Sequence, residues 1–149
     1  MIASGALYFS ATGDFAGREL YRLTDLGSFA APLGPAIPGA TLEMSPPRIG
    51  QPVTTTVREL PPGDVGFLAM SFPLPAPVVW HSQPGFAVWI DPASLNVLAT
   101  LSAASPAFTT TIPNDVGLVG LDMHFQVAHS PTGAAPIATS SALAVRIGD

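Results

Sequence analysis

Asp122, His124 and Gln126 alternate along one segment, and in an extended chain they share a face with about 7 Å between neighbours. Two such side chains with a third from an adjacent strand could hold a metal ion. The plainer reading is a solvated strand face, and that is the expectation here. His129 falls on the opposite face and completes no ligand set. Trp80 and His81 lie in a Pro-rich stretch, with Trp89 close behind. Exposed, these three could stack on a sugar; the plainer role for Trp80 is to cover a sheet edge. A Ser-His-Asp mechanism needs a strained elbow or an oxyanion loop, and no G-x-S-x-G occurs. Glu19, Glu43 and Glu59 could supply the carboxylate pair of a glycosidase, but nothing in the sequence brings two of them together. Asp64 and Asp115 each stand alone in a turn, whereas calcium loops gather several carboxylates. No phosphate loop or dinucleotide fingerprint is present. The residues therefore predict no catalytic site, no cofactor and no metal.

Composition narrows the class further. The 149 residues include no Cys and no Lys, and the net charge is −5. Without Cys there are no disulfides, thiolate metal sites or Cys nucleophiles. The five cations are Arg18, Arg22, Arg48, Arg58 and Arg146, too scattered to form the basic face that nucleic acid or an anionic membrane requires. Hydrophobic residues make up 48% and charged residues 10%, so a real core is expected and disorder is not. Every apolar run is broken by Pro or Gly before the length of a membrane-spanning helix. Met1–Gly5 has neither the basic region nor the apolar stretch of a signal peptide. Met1 is then either the start of a cytosolic protein or the first residue of a piece of something longer.

Seventeen Pro and 14 Gly punctuate the chain, and most of what lies between them reads as short β-strand. Residues 6–11 and 18–23 flank a turn and predict a hairpin, assigned to 1–27. Residues 28–40 have the composition of a linker, and 41–149 form the main domain. In it, Val53, Thr55 and Val57 alternate with Thr54, Thr56 and Arg58, which predicts a strand with one buried face. Residues 65–72 are apolar on both faces. Residues 73–85 allow only a short edge segment, and 91–95 read as one helical turn capped by Asp91. The longest strand is expected over 118–129, with Val119, Leu121, Met123, Phe125 and Val127 as its apolar row. Val53, Val57, Phe67, Ala69, Val88, Ile90 and Val145 complete the predicted core. Short strands with turn signals every 8–12 residues predict an all-β fold of two packed sheets, an immunoglobulin-like sandwich with a β-hairpin appendage.

Two stretches resemble known families. Leu7-Tyr-Phe-Ser-Ala-Thr-Gly, then Gly17-Arg-Glu-Leu-Tyr21 and Asp25, resembles the ELWxxDGT-type repeat of bacterial secreted β-propellers, with Tyr21 in place of Trp. The landmarks Met44-Ser-Pro-Pro-Arg-Ile-Gly50, Leu60-Pro-Pro-Gly63, Ile90-Asp91-Pro92, Ile112-Pro-Asn-Asp115, Gln126 and Ala142-Leu-Ala-Val-Arg-Ile147 resemble the C-terminal immunoglobulin-like domains of long secreted proteins from planctomycete- and myxobacteria-type bacteria. Val127 stands where such domains often carry Trp. Both resemblances imply the tail of a larger exported protein, and hence an extracellular or cell-surface location.

Apolar residues in a hairpin demand cover, because a two-stranded hairpin is not stable alone in water. Tyr8, Phe9, Phe15, Leu20 and Tyr21 are the candidate interaction residues. The expected function is a non-enzymatic extracellular structural module that attaches to other protein chains, itself among them, through hairpin and strand-edge contacts. The alternative is a carbohydrate-binding module using Trp80, His81 and Trp89 on a polysaccharide. A second alternative is an enzyme accessory domain.

Overall fold

Fourteen strands occur among the residues that the computed structural model describes, 2–3, 6–13, 17–23, 27–33, 39–79, 87–131 and 137–149. They are β1 (Ile2–Ala3), β2 (Ala6–Gly13), β3 (Gly17–Leu23), β4 (Phe29–Leu33), β5 (Thr41–Met44), β6 (Pro52–Arg58), β7 (Asp64–Ser71), β8 (Pro73–Val79), β9 (Ala87–Ile90), β10 (Asn96–Ser102), β11 (Ala107–Thr111), β12 (Asp122–Pro131), β13 (Ala138–Thr139) and β14 (Ala142–Arg146). No α-helix occurs among the described residues; Val116–Leu118 is a single 3-10 turn capped by the Asp115 side chain.

Two antiparallel sheets share one core. The larger has the order β10-β7-β12-β14-β4, with β13 also paired to β12; the smaller is β11-β6-β5. Val53, Thr55 and Val57 point inward from β6, as the alternation predicts. Opposite them stand Leu68, Leu101, Phe125, Val127 and Val145 from the larger sheet, each under about a tenth exposed. Gly66 is needed where it stands: a Cβ there would lie 2.9 Å from a methyl of the fully buried Val127. Asp64 and His129 close the end of this core, with His129 Nδ1 2.7 Å from Asp64 Oδ2 and both side chains buried.

Four sequence expectations change. The stretch read as linker contains β4, which pairs with β14 from Phe29↔Arg146 to Leu33↔Ala142. Composition hid it because Ala-Ala-Pro lacks β-branched residues; Pro32 is tolerated since β4 is an edge strand. Phe67 is not core: it faces away from the smaller sheet and is 46% exposed. Residues 91–95 form a tight turn rather than a helical one, with Ser94 N–H donating to Asp91 O at 3.1 Å and Ala93 N–H to Asp91 Oδ1 at 3.0 Å. The long strand begins at Asp122, because Gly120 takes a φ of +85° and Val119 and Leu121 belong to the approach from the 3-10 turn.

The fifth correction matters most. Of the row of β12 read as a solvated face, only Asp122 stays open, while His124 is 6% and Gln126 2% exposed. A two-stranded ribbon, β8–β9, lies over the outer face of the larger sheet and covers that row. The fold is thus three layers deep at β12.

Candidate binding surfaces

Gln126 is the hinge pin of the outer layer. Its Oε1 accepts from Trp89 N–H at 3.0 Å, and its Nε2 donates to Ala87 O at 2.6 Å and Ser140 O at 3.1 Å. His124 Nδ1 lies 3.1 Å from Trp89 O, and the two rings meet edge to face at 6.3 Å. Thus β9 is held to the sheet by side chains of β12 in place of a backbone ladder. At the ribbon's base, Ser71 Oγ accepts from Asp91 N–H, and Ser94 Oγ accepts from Phe72 N–H while donating to Asp91 Oδ2. Every amide hydrogen of this clamp is satisfied by a neighbour of complementary chemistry.

On the other side of Gln126, Ser140 fills a defect. The pairing of β12 runs Ala128↔Thr139 but Phe125↔Leu143, so one extra residue enters the β13–β14 side. Ser140 Oγ accepts from Val127 N–H at 2.9 Å and donates to Ser141 O, replacing the lost ladder bond. Ser141 then links the two sheets, with its N–H donating to Ala40 O and its Oγ accepting from Leu42 N–H. Asp122 and Arg146 form a bidentate pair at 2.7 and 2.6 Å on the open face, and the guanidinium lies 5.5 Å from the Phe29 ring centroid. The hydrogen bond from Arg146 holds the Asp122 carboxyl below its ordinary range.

Two apolar concavities stand out among the described residues. The first, about 210 Å³, lies on the outer face beside the ribbon and is lined by Ala69, Val88, Ile90, Pro92, Leu95 and Ala128 among others. Around it stand exposed apolar side chains: Phe67 at 46%, Leu95 at 47%, Val97 at 59% and Ile137 at 55%. Phe67 pairs with Ala128 and Val97 with Ala69, so the register gathers them beside the concavity. Single exposed hydrophobics are ordinary, whereas a cluster marks a contact surface. Val97 belongs to β10, an edge strand of sequence Asn-Val-Leu-Ala-Thr-Leu-Ser. It carries neither charge nor Pro to blunt the edge, and one bulge between Val97 and Ala99 interrupts its pairing.

The second concavity lies between the sheets and measures about 330 Å³. Met44, Met70, Met123, Leu98, Phe108 and Phe125 contribute to its wall, and among its described residues the polar types are Thr55 and Thr110. It is a cleft open to solvent rather than a sealed void, with Thr110 and Pro113 of its lining exposed.

The sequence-predicted site residues fare unevenly. Tyr8 and Phe9 lie on β2, Leu20 and Tyr21 on β3, and the hairpin register pairs Phe9 with Tyr21 and Ser10 with Leu20. With β1 they form a separate three-stranded sheet. Phe15, Trp80 and His81 lie outside the described residues. Trp89 is half-buried and engaged with His124 and Gln126, so it serves the ribbon's attachment. Glu43 is paired with Arg58 at 3.0 Å on the surface. Among the described residues no three His, Asp or Glu side chains gather as a metal site, and no helix is long and apolar enough to cross a membrane. Both concavities escaped the sequence reading, because their walls come from strands far apart in the chain. No family model, curated protein or solved structure matches this chain.

Proposed function

We propose that this chain is a non-enzymatic, extracellular β-sandwich module of the immunoglobulin-like class that attaches to other protein chains, further copies of itself first among them. The observation that carries the reading is the exposed apolar cluster of Phe67, Leu95, Val97 and Ile137 beside the uncharged, Pro-free edge strand β10. Strand addition at that edge would pair its free backbone groups while the cluster is covered. The class is supported by the strand order. The small sheet holds β5, β6 and β11, the large one β4, β7, β10, β12, β13 and β14, and the chain passes between the sheets after β4, β6, β10 and β11. The extracellular location rests on the resemblances of the two chain segments to exported proteins.

The hairpin gives the attachment a direction. It precedes β4, at one margin of the large sheet, whereas β10 forms the other margin. A hairpin from one copy meeting β10 of the next makes a head-to-tail contact, and such contacts build rings or filaments. Light scattering across a concentration series tests this, with negative-stain imaging of the same samples. The expected result is a concentration-dependent assembly that a Val97→Lys, Phe67→Ser variant and a deletion of residues 1–27 each reduce to folded monomers. A wild-type protein that stays monomeric at every concentration refutes self-assembly.

A further inference from the structure

The cavity between the sheets has an assignable ligand. We infer that it binds one small, uncharged, apolar molecule of about ten to twelve carbon atoms. Its 330 Å³ is about twice the volume of a dry protein cavity that accepts the six carbons of benzene, and it falls within the range of small-molecule pockets. Among the described residues no Asp, Glu, Arg or His lines it, so an ion would enter without a partner. A sugar would strand most of its hydroxyls against Met, Leu and Phe. Three methionines, Met44, Met70 and Met123, bring flexible thioether arms to the wall and adapt it to an irregular apolar guest.

The route in is also visible. Leu98 on β10 and Phe108 on β11 are half-buried and stand on the edge strands of the two sheets, where no further strand among the described residues closes the gap. The pairing of β10 with β7 skips Leu98, running Val97↔Ala69 and then Ala99↔Leu68. A bulge at this position bends the edge strand and re-aims Leu98, and bulges recur beside binding sites. The irregularity and the cleft therefore coincide at one residue. This site is separate from the outer-face cluster, whose Phe67 and Val97 do not line it.

Naphthalene is a suitable probe, read by the methyl resonances of methionine in the intact chain. Ring-current shifts are expected at Met44, Met70 and Met123, with saturation. Leu98→Trp places an indole in the cavity and should weaken naphthalene binding by about tenfold or more. Leu121→Phe fills the opposite wall and serves the same purpose if the first variant folds poorly. Phe67→Ser, on the outer face, should leave the affinity unchanged. The inference is overturned if no cavity methionine responds at the solubility limit of naphthalene. It is equally overturned if the filled cavities bind as tightly as the wild type, or if Phe67→Ser abolishes the response.

Discussion

Replacing Gln126 by Met changes the volume and length of the side chain little but removes three hydrogen bonds at once. Ser140 O lies in a fully buried residue and loses the Gln126 amide outright. Trp89 N–H and Ala87 O belong to half-buried residues, and Ala87 O keeps a long contact of 3.4 Å from Thr139 Oγ1. A stranded buried polar group costs about 1–3 kcal/mol, and the two half-buried groups recover part of theirs from water. The expected loss is therefore about 2–4 kcal/mol. Urea unfolding reads it directly: with a slope of about 1–3 kcal/mol per molar, the midpoint should fall by roughly 1–2 M. Amide exchange at Trp89 should accelerate, because its acceptor is gone. Were this face solvated, the substitution would stay within about 0.5 kcal/mol. A loss below about 1 kcal/mol with unchanged exchange at Trp89 would refute the three-layer account of β12.

Phe125→Ala, at a core position only 6% exposed, should cost about 3–5 kcal/mol in the same assay, and a loss under about 1 kcal/mol would mean the core register is wrong. Gly66→Ala forces a methyl against Val127 and should destabilise by about 1–3 kcal/mol; a neutral result would show that β7 and β12 have room to part. The Asp122–Arg146 pair adds a small acid dependence. Because the folded carboxyl titrates below its ordinary value of 3.8, its stabilisation is complete above the unfolded value and disappears as pH falls through the lower folded one. Both partners are more than a third exposed, so screening limits the effect to about 1 kcal/mol or less. Asp122→Asn should flatten that part of the pH–stability curve, and an unaltered curve would mean the pair contributes nothing to it.

How much of this was legible in the sequence follows from the range of the forces involved. The punctuation by Pro and Gly, and the period-2 row of Val53, Thr55 and Val57, specify strands and turns locally, so the all-β class was readable. So was the inward row Met123, Phe125 and Val127, because one buried face imposes alternation on any strand. The absence of Cys and of a basic face likewise excluded whole classes of chemistry before any geometry was known. Local pattern could not say what covers the other face. Gln126 and His124 read as solvated because polar residues usually are, and their burial depends on β9, some 35 residues away in the chain. The reverse holds for Phe67, which reads as core by its apolar type and is left open because the ribbon does not cover it. The strand β4 lay hidden in an Ala- and Pro-rich stretch, since only the exposed margin of β14 gives it a partner. The cavity behind Leu98 and Phe108 belongs to no segment at all. Sequence decides which residues can be buried; the pairing of distant strands decides which of them are, and where the packing leaves a space.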